Sequence, residues 1–148
     1  MSELVTGRFL HHANYYDGPL SGVMLADDGN RYWFEVHPEC DLHDGYWYAL
    51  YELTESEWYW EDQRHALFRK HVGTHCDYDE NGRRDFRAVM PMPSWDAFYK
   101  DPKYGGYGVD VRPDYRERGH VATWDPRGNR PVAPLPKAER SDPEGEQR

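Results

Sequence analysis

A chain of 148 residues with a net charge of −9 reads as one domain, and its acidity argues against a nucleic-acid partner, whose phosphates it would repel. No apolar run approaches the ~20 residues of a membrane helix, and two cysteines are too few for a disulfide framework. Leu, Val and Phe supply 23 residues and Ile none, so the core must draw on six Trp and twelve Tyr, each able to bury ~150–250 Å².

In chain order, Met1-Ser2-Glu3-Leu4 shows neither the basic nor the apolar run of a signal peptide. Val5 to His12 reads as a first strand and Leu20 to Ala26 as a second, joined through the turn-forming Asp17-Gly18-Pro19. Asp27-Asp28-Gly29-Asn30 signals a hairpin, because Gly and Asn tolerate positive φ. Arg31 to His37 returns as a third strand, with Tyr32, Phe34 and Val36 on one face and Trp33 and Glu35 on the other. Gly45 to Leu53 is the fourth, presenting Trp47, Ala49, Tyr51 and Leu53 together.

Thr54-Glu55-Ser56-Glu57 is a capping box that opens a helix over 54–72. Acids crowd its start and Arg69, Lys70 and His71 its end, as the helix dipole favours, and Gly73 suits the stop. Its apolar stripe is read as Trp58, Trp60, Ala66, Leu67, Phe68 and Val72. Beyond it, Thr74 to Tyr78 and Phe86 to Met90 are expected as strands around a turn at Asn81-Gly82. Ser94 can cap a short helix through Lys100. Tyr104 to Gly108 reads as a mobile, aromatic-tipped recognition loop, and Val109 to Val111 and His120 to Trp124 as short strands. The expected class is α+β: an antiparallel sheet of about four strands, the 54–72 helix on one face, and a loop-rich C-terminal arm. Residues 1–124 form the domain; Pro, Arg and acidic residues make 125–148 a disordered or extended tail.

Charge is unevenly distributed. Residues 1–62 hold 13 Asp or Glu against Arg8 and Arg31, a balance of 2 − 13 = −11. The other 86 hold 16 Lys or Arg against 14 acids, or +2. Trp33, Trp47, Trp58 and Trp60 lie in the acidic part, so an acidic face studded with aromatics would suit a basic protein partner. Trp33, Glu35, Trp47, Glu52, Tyr104 and Tyr107 are the expected contact residues. Against this stands internal neutralisation, with Arg83, Arg84, Arg87, Arg112, Arg116 and Arg118 folding back on the acids.

No motif identifies a reaction: there is no Gly-x-Ser-x-Gly, phosphate loop or His-Glu-x-x-His. His11-His12 with Asp17, or Glu35 with Glu52, could form acid–base pairs, although adjacent strand residues face opposite ways. No cofactor is expected; zinc is the candidate the residues offer, with Cys40, His43, His75 and Cys76 stapling the loop between the third and fourth strands to the helix end, and the spacing matches no established zinc module. Arg outnumbers Lys 14 to 4 with no Ile, the usage of a GC-rich genome such as a bacterium's or its phage's. The leading expectation is a cytoplasmic, non-enzymatic interaction module of the inhibitor or immunity type. A Tyr/Trp/His-lined small-molecule site or enzyme, and a structural part of a larger assembly, are the alternatives.

Overall fold

The N-terminal strand divides at Thr6 into two pieces that lie at opposite edges of one sheet, and this sets the architecture. The computed structural model describes residues 3–41, 45–107 and 111–128. Within them run β1 (Glu3–Val5), β2 (Gly7–Tyr15), β3 (Pro19–Ala26), β4 (Arg31–Val36), β5 (Tyr48–Glu52), helix α1 (Glu55–His71), helix α2 (Met92–Tyr99), a 3-10 turn (Tyr115–Arg118) and β6 (Ala122–Trp124). The sheet has the order β1-β6-β5-β4-β3-β2. β1 pairs with β6 in parallel, Val5 opposite Trp124, and the other neighbours are antiparallel.

Six flat strands at ~4.8 Å spacing would span about 24 Å. One residue separates β1 from β2, a reach of only about 7 Å. The sheet therefore curls into a half-barrel whose edges are drawn together by the N-terminal strand. Thr6 pins that corner: its carbonyl accepts the Asp27 N–H at 2.9 Å and its hydroxyl donates to the Asp27 carboxylate at 2.6 Å. Gly7 is required beside it, because a Cβ there would lie 2.3 Å from the Leu25 carbonyl oxygen and 2.8 Å from Ala26 Cα.

This overturns the expectation of about four antiparallel strands with one long helix. The sheet has six strands and is mixed, and a second helix, α2, packs against α1 through Phe98 on Phe68 at 5.3 Å. α2 begins at Met92 after Pro91 rather than at Ser94. The segments expected as strands over 74–78 and 86–90 make only isolated bridges, Gly73 to Val89 and Tyr78 to Arg84 among them. Of the strand expected at 109–111, residues 109 and 110 lie outside the described residues, as do 129–148 of the expected tail. Asp125 is buried and ion-paired with Arg127 at 2.9 Å.

Aromatics fill the barrel. Phe9 meets Trp124 at 4.6 Å and Phe34 at 5.2 Å, and Phe34 meets Tyr48 at 4.9 Å, all edge-to-face. The buried Tyr48 hydroxyl donates to the Pro19 carbonyl at 2.7 Å. The outer face of the same strands buries Val23, Trp33, Ala49, Tyr51 and Leu53, with Tyr115 of the 3-10 turn and Trp58 of α1 packed on it. α1 starts at the capping box: Thr54 Oγ1 accepts the Glu57 N–H at 3.2 Å, and Glu57 Oε1 accepts the Thr54 N–H at 2.8 Å. Among the described residues, no helix is long and apolar enough to cross a membrane.

Candidate functional site

Where an apolar seam is the default, α1 buries charge. Its inward-facing residues follow 3-4-3-4 spacing at Trp58, Glu61, His65, Phe68 and Val72, and Glu61 is 1 % exposed and His65 5 %. Burying an ion is costly unless it is paired and hydrogen-bonded. Glu61 is both: Arg112 donates to it through Nε at 2.7 Å and Nη2 at 3.0 Å, and the Tyr115 hydroxyl through 2.8 Å. Burial, reinforced by the Glu61 charge, pushes the Tyr115 hydroxyl well above its ordinary range. The Arg112 guanidinium lies over the Trp33 ring at 4.3 Å.

One turn along, His65 stacks flat on His11 of β2 at 3.8 Å and hydrogen-bonds Asp77, which also accepts from Arg69 Nε at 2.8 Å. Burial, then the neighbouring His65 and arginines, holds His11 far below its ordinary value. Burial alone would raise Asp77, but the His65 and Arg69 hydrogen bonds outweigh it and keep the carboxyl low. His12 faces the other way, its Nδ1 3.0 Å from the Tyr78 hydroxyl, and burial with the Arg84 charge lowers it to about 4.

Arg112, paired behind with Glu61, lines an open cleft of about 600 Å³, within the size range of ligand sites. Trp33, Tyr115 and Leu20 supply apolar wall; Glu35, Asp114 and Arg116 stand at its polar side. Glu35 Oε2 is held by the Trp33 indole N–H at 2.8 Å. Its Oε1 has Arg116 Nε at 3.8 Å, within ionic range but outside hydrogen-bond range. Arg116, its side chain 62 % exposed, is bonded instead to Asp114 at 3.0 and 3.3 Å. Among the described residues, Glu35 Oε1 thus accepts no hydrogen bond of ordinary length, while Glu35 lines the cleft.

The expected contact residues are dispersed. Trp33 and Glu35 line the cleft, but Trp33 is 3 % exposed, a wall rather than a protruding anchor. Trp47 is buried and stacks on His37 at 4.2 Å. Glu52 lies opposite Tyr32 on the sheet face away from Glu35, so the two acids form no pair. Tyr104 packs on Trp60 at 5.8 Å while its carbonyl takes Arg64 Nε at 2.9 Å, and Tyr107 donates to Asp96 at 2.8 Å, so that loop is pinned. The expected neutralisation is partial: besides Arg112, Arg118 grips Glu57 through two bonds of 2.7 Å, whereas Arg87 pairs with Asp85 of its own turn at 2.7 Å.

The zinc candidates also separate. The Cys40 thiol donates to the Gly45 carbonyl at 3.4 Å, in the connection between β4 and β5. Cys76 is buried after α1, its thiol pushed up to about 11 by burial. His75 faces Trp95 at 6.0 Å, and His43 lies outside the described residues. Among the described residues, no three His, Cys, Asp or Glu side chains gather as metal ligands would.

Glu61 and His65 went unread as site residues. Their signal was present: Glu and His at the third and seventh steps after Trp58, in register with Phe68 and Val72. No protein-family model, curated protein or solved structure matches the chain.

Proposed function

We propose that this chain is a non-enzymatic interaction module, inhibitor- or immunity-like, that receives a basic side chain of a partner protein in the cleft at Glu35. The observation carrying the reading is Arg116. The cleft mouth already holds one guanidinium between Glu35 and Asp114, so its acid pair has the spacing to accept another. Arg116 is weakly held, as exposed ion pairs are, and swings out at little cost. The Trp33 hydrogen bond fixes Glu35 beforehand, and preorganisation reduces the entropy lost on binding. Trp33 and Tyr115 add aromatic wall, to which guanidinium groups are drawn. A cytoplasmic setting belongs to the same reading and suits the free thiols of Cys40 and Cys76.

The test is calorimetric titration with a short arginine-rich peptide, arginine amide serving as the single-side-chain control. Saturable peptide binding that falls about tenfold or more in Glu35→Gln supports the reading, the loss expected when a charged partner of a desolvated pair is removed. Glu35→Gln binding as tightly as the native chain sinks it. Arginine amide binding as tightly as the peptide would move the assignment to a small-molecule site, for which the cleft volume is also adequate.

A further inference from the structure

Arg84, in the segment between α1 and α2, combines an aromatic clamp with a guanidinium that holds no carboxylate among the described residues. Its guanidinium is clamped between two aromatic rings, 4.4 Å from the Tyr15 centroid and 4.6 Å from Phe86. Its Nε is spent on the His75 carbonyl at 3.0 Å. Among the described residues, its two Nη groups have no hydrogen-bond partner and no carboxylate in ion-pair range. Arg31, Arg69, Arg87, Arg112, Arg116, Arg118 and Arg127 hold carboxylates; Arg8 and Arg83, like Arg84, are in no ion pair among the described residues, and the aromatic clamp is what sets Arg84 apart. Arg84 lines a groove of about 540 Å³ between the 77–79 segment and the 84–87 turn.

We infer that this groove is an oxyanion site, taking a carboxylate or phosphate carried on a planar ring, with Arg84 as the anion-binding residue. A guanidinium presents paired N–H donors in a fixed fork that matches both anions. The aromatic clamp removes the rotamer freedom that an exposed arginine would lose on binding, so the fork is preorganised. Phe86 is 62 % exposed and Tyr15 45 %, leaving ring surface for a ligand's planar group to stack on. Both are large apolar groups left in water beside a cation, the combination that marks binding surfaces.

Three aspartates also line the groove, and each is already engaged. Asp77 accepts from His65 and Arg69, and Asp85 from Arg87 through Nε at 2.9 Å and Nη2 at 2.7 Å. Asp79 accepts the backbone N–H groups of Asn81 at 2.8 Å and Arg83 at 3.0 Å. Asp77 is balanced from α1 and Asp85 from its own turn, while Asp79 is turned onto backbone N–H groups; among the described residues Arg84 is the groove's cation that holds no carboxylate. Specificity then follows: the anion is held by Arg84 and the ring by Phe86, so neither half of such a ligand suffices.

The experiment is titration of the full chain, followed by NMR, with adenosine monophosphate, benzoate and uncharged adenosine. Saturable binding of either anion but not of adenosine supports the site, and which anion binds tells phosphate from carboxylate. Arg84→Lys keeps the charge but loses the fork, and is expected to weaken binding by on the order of tenfold. Phe86→Leu, at an exposed position that leaves the fold intact, is expected to weaken it severalfold and decides the matter if Arg84→Lys misfolds. Adenosine binding as well as its monophosphate, unchanged affinity in the folded variants, or no saturation by either anion at millimolar concentration overturns the inference.

Discussion

At Glu61 a carboxylate with almost no exposure is satisfied by three donors, and the cost of disturbing it depends on what is left behind. Glu61→Ala strands the Arg112 guanidinium at the cleft and is expected to destabilise the fold by ~3–5 kcal/mol in urea unfolding. Replacing Glu61, Arg112 and Tyr115 together by Leu, Met and Phe is expected to cost far less, since no uncompensated charge remains. His12 gives a second residue-level test. Its folded value is about 4 against an ordinary 6.5. The unfolded imidazole therefore takes up a proton that the folded one refuses. Stability present above pH 6.5 is lost as pH falls towards 4. His11 contributes with the same sign. Calorimetric melting is expected to fall over this window in the native chain and less steeply in His12→Gln; an unchanged slope would rule His12 out as a source.

Elements differ in how legible they were. α1 was read over 54–72 and spans Glu55–His71, because its start is written in four consecutive residues, the first and last of which close their side chains on its own backbone. Thr54→Ala is expected to cost about 1 kcal/mol by chemical denaturation, as loss of a helix cap does. The buried stripe of α1 was misread because apolarity was taken as the mark of the inward face. Trp60 and Ala66 were included on that ground, while Glu61 and His65 were passed over despite their spacing. β3, β4 and β5 alternate as their sequences require, Phe34 inward and Trp33 outward. The strands expected over 74–78 and 86–90 reduce to bridges. One bond crosses between them, Thr74 N–H to the Ala88 carbonyl, but others go to β2, His12 N–H to the Cys76 carbonyl and Tyr78 N–H to the Leu10 carbonyl.

The whole molecule depends on a pairing no local pattern announces. β1 and β6 are joined in parallel from opposite ends of the described chain, and such long-range contacts leave no periodicity to read. Gly7 was passed over inside a strand, where a glycine can mark close backbone approach. Gly7→Val is expected to prevent closure of the half-barrel, seen as loss of near-ultraviolet aromatic dichroism; a native-like spectrum would contradict the closure argument. The charge imbalance between the two parts of the sequence has a structural counterpart. Arg112, Arg116 and Arg118, from the second part, sit on Glu61, Glu35 and Glu57 of the first. Of these three, Arg116 alone is mostly exposed and held at the edge of ionic range from its acid. The most direct test compares Arg116→Ala with Glu35→Gln in titration with the arginine-rich peptide. If Arg116 occupies the partner's place, its removal tightens binding while Glu35→Gln weakens it. Weakening by both substitutions, or by neither, would contradict the assignment of the cleft to a basic partner.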